Sequence, residues 1–148
     1  PEWFETPQFM HFYGESARRG YEMMLQRFGN GVAATARANG RLLRELTKRD
    51  ALLVTGTDSP FVPYGAGLHA ELRLYARAGL TPAQILRQAT IKSAEAAGVA
   101  SELGTIQVGK LADLVIVDGD PLANIGDADN VVMTIKHGQR YSLDALLK

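Results

Sequence analysis

The sequence predicts an α/β chain, and three observations predict it. Ala51-Leu52-Leu53-Val54-Thr55 is a short apolar, partly β-branched run between Asp50 and Gly56, which is how a fully buried strand of a parallel sheet reads. Helical periodicity precedes it, and helix followed by buried strand is half of a repeating (β/α) unit. From Gly104 onward the character changes to β, with short apolar runs flanked by turn residues.

Composition narrows the functional classes. Lys plus Arg and Asp plus Glu number 16 each, and no basic stripe is interleaved with aromatics. That balance argues against a nucleic-acid footprint. There is no Cys, which removes disulfides, thiolate metal sites and a Cys nucleophile from consideration. A Cys-free chain suits either redox environment, so the compartment of a soluble protein, cytoplasmic or periplasmic, stays open. The apolar runs are far shorter than the roughly 20 residues that span a bilayer, and no signal-peptide pattern opens the chain. No membrane partner is expected. The first residues, Pro1-Glu2-Trp3-Phe4, lack an initiator Met, as in a processed chain or one cut from something longer.

Residues 1–13 are rich in aromatics (Trp3, Phe4, Phe9, Phe12, Tyr13) and are expected to pack against another part of the protein. His11 among them reads as a packed or surface residue. Ala17, Tyr21, Met24, Leu25 and Phe28 repeat at helical spacing over 14–28, and Gly29-Asn30-Gly31 predicts a break. A second helix is expected to about residue 49, with Val32, Ala36, Leu43 and Leu46 on one face. Its Arg37, Arg41, Arg44, Glu45 and Lys48 read as a solvated side. After the strand at 51–55 comes Gly56-Thr57-Asp58. Chemistry in α/β proteins gathers just beyond the carboxyl ends of parallel strands. Asp58 stands there, either as a functional carboxylate or as a cap of the next segment.

Leu68, Leu72 and Tyr75 predict a helix over 68–78, stopped by Gly79, with His69 in its first turn facing the mouth of the strand end. Thr81-Pro82-Ala83-Gln84 combines a capping box with Pro in the first turn, and the helix it starts should reach about residue 97. Residues 113–118 form the second clear strand, stopped by Gly119-Asp120-Pro121. Residues 131–136 and 139–142 predict a hairpin, with His137-Gly138 as its tight turn. A last short helix is expected over 143–148. Three short strands are marginal as an isolated sheet and need partners.

Several stretches together resemble the metal-dependent amidohydrolases. They are Thr55-Gly56-Thr57-Asp58, Leu68-His69-Ala70-Glu71-Leu72, Ala78-Gly79-Leu80-Thr81-Pro82, Ala89-Thr90 and Ala96-Ala97-Gly98-Val99. The run from Leu103 through Gly104-Thr105-Ile106, Gly109-Lys110-Leu111-Ala112-Asp113-Leu114-Val115 to Asp118 is the most specific. The resemblance covers about residues 30–142, and the cyclic-amide and dipeptide-hydrolysing branches, imidazolonepropionase-like and prolidase-like, fit best.

That resemblance implies a (β/α)8 barrel whose last strand carries an aspartate to the metal centre, followed by strands returning to a small β-sandwich. Residues 1–103 would then be the C-terminal part of the barrel, with its last strand at about 51–55, and residues 104–148 the returning strands. Asp58 would bind a divalent metal, zinc, and relay a proton from the attacking water to the leaving group. Ser59-Pro60-Phe61-Val62-Pro63-Tyr64-Gly65 would cover the metal, and His69 would touch substrate. Lys110 and Asp113 read as structural. The family's His-x-His pair, mid-barrel acid or carboxylated Lys, and further His ligands have no counterpart here, and seven of eight barrel strands are lacking. The implied substrate is a small amide or peptide-like molecule, turned over by the complete protein. The isolated chain is expected to lack metal and activity, to need the N-terminal part of the barrel as its partner, and to self-associate. The alternative from a different class is an independently folded, non-catalytic interaction module that uses the aromatic residues 1–13 and the strand edges.

Overall fold

The computed structural model describes residues 7–58 and 65–146. Helix α1 (Pro7–Lys48) spans 42 residues as two helical stretches joined at a kink, and the break expected at 29–31 is absent. Two glycines cost a helix roughly 1 kcal/mol each. A break would require a second nucleation and leave further end groups unbonded. The interruption falls at Gly14, whose φ of 68° and ψ of 179° are non-helical, at the residue where the sequence places the helix start. Ahead of that kink Phe9 is buried, stacked on Tyr13 with ring centroids 4.9 Å apart and edge-on to Tyr21 at 6.2 Å. The aromatic stretch thus packs partly on its own helix, while residues 1–6 lie outside the described residues. His11 is exposed beside Phe12. Among the described residues no helix is long and apolar enough to cross a membrane.

The strand expected at 51–55 does not form. Residues 51–58 make no sheet ladder with any described residue. Ala51, Leu53, Thr55 and Thr57 are half-buried, while Leu52, Val54, Gly56 and Asp58 are exposed. Burial with a period of two belongs to a strand covered on one face. What is lacking is a neighbour, since a parallel strand takes its hydrogen bonds from strands beside it. The strands that do form pair with one another.

Helix α2 (Ala66–Arg77) leads to Gly79, whose φ of 95° turns the chain. Helix α3 (Pro82–Arg87) starts at the expected capping box. Thr81 Oγ1 accepts from the Gln84 backbone N–H at 3.3 Å, and Gln84 Oε1 accepts from that of Thr81 at 2.9 Å. The helical path continues through a π-helical turn (Gln88–Lys92) into α4 (Ser93–Ala96) and ends before Gly98.

Strands β1 (Leu114–Val117), β2 (Val131–Lys136) and β3 (Gln139–Ser142) form an antiparallel sheet in that order. Leu114 stands opposite Ile135, and the register shifts between Ile116 and Val117. His137 and Gly138, with φ of 50° and 80°, make the predicted two-residue turn of positive φ. A 3-10 turn (Ile125–Asp129) lies between β1 and β2, and α5 (Leu143–Leu146) follows β3.

Leu72, Ala78, Leu80, Ile85, Ile125 and Ala128 form the core, with Leu43 and Leu68 packed on it. Ile85 has no exposed surface, and such burial contributes about 1.5–3 kcal/mol. The 3-10 turn thus joins the helices, and the core draws on both sides of residue 104. α1 packs at Gly40 against the end of α2, where a Cβ would lie in ordinary contact, 3.4 Å from that of Ala78. Arg44 departs from the solvated role read in the sequence. It is half-buried, and its Nη1 donates to the Ala78 carbonyl.

Candidate active site

Asp58 is the last described residue of the irregular stretch that begins at residue 51, exposed, with a left-handed φ of 52°. Two side chains of α2 fix the backbone that leads to it. The Gly56 N–H donates to both Glu71 carboxylate oxygens, at 3.2 and 3.0 Å. The Tyr75 hydroxyl faces two acceptors, the Val54 carbonyl at 3.0 Å and Glu71 Oε1 at 2.9 Å. Burial, reinforced by the hydrogen bond to Glu71, pushes the Tyr75 phenol well above its ordinary value, so it stays a proton donor. Glu71 and Tyr75 are four residues apart, one helical face, and this face substitutes for the absent strand partners. In the sequence Tyr75 stands out only for its apolar ring. The signal is a carboxylate and a phenol at i and i+4 beside a predicted strand end.

His69 lies on the other side of α2, because residues 69 and 71 are about 200° apart on a helix. Its Nδ1 has essentially no accessible surface and stands 2.9 Å from Asp129 Oδ1, close in distance but off the line of a hydrogen bond. Arg73 Nη1 donates to the other oxygen, Asp129 Oδ2. Burial first, then the Arg73 guanidinium, hold His69 below the ordinary imidazole value. The structure therefore brings His69 to Asp129, and Glu71 to the segment ending in Asp58. Residues 59–64 of the loop expected over the metal lie outside the described residues.

The Gly109-to-Asp118 stretch holds the C-terminal part together, in keeping with a structural role for Lys110 and Asp113. Lys110 Nζ donates to the carbonyls of Ala100 at 2.5 Å and Leu103 at 3.1 Å, tying down the chain after α4. Asp113 Oδ1 accepts from the His137 backbone N–H at 2.7 Å, its Oδ2 pairs with Lys136, and Gly138 N donates to Ala112 O at 3.0 Å. The turn residue His137 is thus held through its backbone. The His137 N–H, and after it Lys136, hold the Asp113 carboxyl below the usual carboxylate range. A carboxyl with a folded pKa below its unfolded one stabilises the fold above the unfolded value, roughly 4. That contribution is lost as pH falls through the folded value. Urea unfolding between pH 2.5 and 5 should therefore show a shallower loss of stability with acid in Asp113→Asn than in the wild type. Equal slopes would remove Asp113 from the acid response.

A catalytic zinc takes about three protein ligands and keeps one position open. Among the described residues no group of three or more His, Cys, Asp or Glu side chains can hold a metal ion. Asp58 is one carboxylate, and the chain's described residues do not complete a set around it.

Residues 11–141 match the model of the amidohydrolase family. The chain is 29% identical over 115 residues to a 5'-deoxyadenosine deaminase of Methanobrevibacter smithii, covering 71% of this chain and 26% of that protein. It is 52% identical over 44 residues to an imidazolonepropionase of Sphingopyxis alaskensis, 29% of this chain and 11% of the relative. The crystal structure of a Xaa-Pro dipeptidase with bound methionine superposes with a TM-score of 0.64 at 28% identity, over 70% of this chain and 25% of that one. The chain spans about a quarter or less of the length of these proteins.

Proposed function

Because the chain belongs to the amidohydrolase family, we propose that it forms the C-terminal part of a metal-dependent hydrolase that cleaves the C–N bond of an amide, cyclic amide or dipeptide. The observation that carries this reading is the segment ending in Asp58. It shows one-faced, period-two burial without a neighbouring strand among the described residues, it is pinned by Glu71 and Tyr75, and it carries the exposed carboxylate of Asp58. In this reading residues 51–55 become the last strand of a (β/α)8 barrel once the remaining strands lie beside them. Residues 1–103 belong to the barrel and residues 104–148 to the small β-sandwich.

Asp58 accepts a proton from the attacking water and returns it to the departing nitrogen. A carboxylate suits this work because it shuttles between two protonation states in place. The metal, zinc in this reading, supplies Lewis-acid activation when bound. Its other ligands come from the rest of the protein, since the donor set among the described residues is incomplete. His69 as a substrate contact rests on the resemblance alone, since its Nδ1 meets Asp129 on the side of α2 away from the face that holds Gly56.

The apolar surface fits a missing partner. Val115 and Ile116 are 60% and 43% exposed, and consecutive strand residues point to opposite faces, so both faces of the sheet want cover. Leu52 and Val54 are exposed on the open side of residues 51–58. The same surfaces favour the second reading, a non-catalytic interaction module, and either way they favour self-association of the isolated chain.

Metal analysis tests the proposal. The isolated chain, dialysed against zinc, should retain no stoichiometric metal. The complete protein should retain zinc and hydrolyse Xaa-Pro dipeptides or cyclic amides, with activity lost to a chelator. Tight one-to-one zinc on the isolated chain through His11 or His69 would overturn the ligand assignment. A complete protein inactive toward all C–N substrates would favour the interaction module.

A further inference from the structure

Asp129 stands at the end of the 3-10 turn, sixty residues from His69 in sequence, and the fold brings the two together. Three groups meet there. Arg73 Nη1 donates to Asp129 Oδ2, leaving Oδ1 to face His69 Nδ1 at 2.9 Å. A quarter of the His69 side chain is exposed, and Nδ1 contributes essentially none of it, which leaves Nε2 as the ring nitrogen that could meet a ligand.

A neutral imidazole has one N–H and one lone pair, and its surroundings decide which nitrogen holds the proton. A lone pair on Nδ1 would be set against a carboxylate oxygen at 2.9 Å, acceptor against acceptor. A proton there meets a negative oxygen instead, a favourable charge–dipole contact at this distance although it lies off the line of a hydrogen bond. We propose that Asp129 is a positioning residue that holds the proton of His69 on Nδ1, so that Nε2 faces outward as a hydrogen-bond acceptor for an N–H or O–H group of the ligand. This rests on the reading of His69 as a substrate contact. It adds the class of group His69 would receive: an amide or amine N–H or a hydroxyl, and not a carboxylate. Arg73 contributes by claiming Oδ2, which fixes the orientation of the carboxylate.

Nitrogen-15 NMR of the imidazole rings in the chain at pH 8, assigned with a His69→Gln variant, reads the tautomer directly. The expected result is a protonated-type Nδ1 and a lone-pair-type Nε2 for His69. Asp129→Asn keeps the shape and provides the decisive contrast. Arg73 would claim the amide oxygen and turn the NH2 toward Nδ1, which must then accept, so the dominant tautomer should invert to Nε2–H. A wild-type His69 with its proton on Nε2 would overturn the proposal, whatever the variant does. A wild-type Nδ1–H that persists in a folded Asp129→Asn would overturn the role of Asp129. Whether His69 meets substrate is measured separately, by the KM and kcat of His69→Ala in the complete protein. A normal KM there would end the substrate reading and leave the tautomer assignment intact.

Discussion

Replacing Asp58 by Asn in the complete protein is expected to abolish measurable turnover while leaving the fold in place. Proton transfer by a positioned side chain is worth roughly 10²–10⁴ in rate, and an amide cannot accept a proton from water at neutral pH. Any metal bond lost with the charge adds to this. The backbone gives no reason to expect unfolding. Asp58 has a left-handed φ of 52°, a region where Asn is among the best-tolerated residues other than Gly. Its side chain is exposed, so no core contact is lost. The measurement is kcat on the complete protein, with circular dichroism and zinc content as controls. A variant retaining near-normal kcat would remove Asp58 from the chemistry. Loss of zinc together with activity would assign it mainly to metal binding, and retained zinc with lost activity to proton transfer.

Features encoded by neighbouring residues are legible in the sequence. The capping box of Thr81 and Gln84, the turn at His137-Gly138 and the strand at residues 114–117 each depend on a few adjacent side chains and backbone angles, and each appears in place. Features decided at long range are not. Gly29-Asn30-Gly31 reads as a break, but helix cooperativity along α1 carries the chain across it. The run at 51–55 has the composition of a buried strand, yet a strand exists only with a partner, and composition does not supply one. The candidate site divides the same way. Asp58 is marked by its place after an apolar run. The clamp made by Glu71 and Tyr75 is legible only as a pair at i and i+4. Asp129 gives no signal, since nothing local marks an acid in a 3-10 turn as the neighbour of a histidine sixty positions earlier.

Helix α2 is where these scales meet. One of its faces holds the segment that leads to Asp58, through Glu71 and Tyr75. Another holds the 3-10 turn, through His69 and Arg73, and Leu72 between them enters the core. A single helix therefore couples the candidate catalytic residue to the connection between β1 and β2. That arrangement explains why core residues come from both sides of residue 104, and it makes the junction at Gly104 a sensitive place in the fold.

Gly104→Ala is accordingly expected to cause a large loss of stability for a single added methyl group. Gly104 has a φ of 88°, and a Cβ built there would lie 2.8 Å from both Ala94 Cβ and Ile91 Cα. The first neighbour is a side chain on α4, the second the backbone of the π-helical turn, and neither has a flexible end that can swing away. Left-handed backbone costs a residue with a Cβ about 1–2 kcal/mol, and overpacking a tight contact adds about 1–3. The sum, about 2–5 kcal/mol, is a large part of the stability of an ordinary domain. Gly109 separates the two effects. Its φ of 91° is nearly the same, but nothing lies within 4 Å of its added Cβ, so Gly109→Ala should lose only the backbone part. Urea unfolding of both variants gives the comparison, with the midpoint of Gly104→Ala falling two- to three-fold further below wild type than that of Gly109→Ala. Equal shifts would mean that the chain after Gly98 does not press on α4 in solution. In that case the hydrogen bonds from Lys110 to Ala100 and Leu103, and not close packing at Gly104, would be what holds that stretch of chain in place.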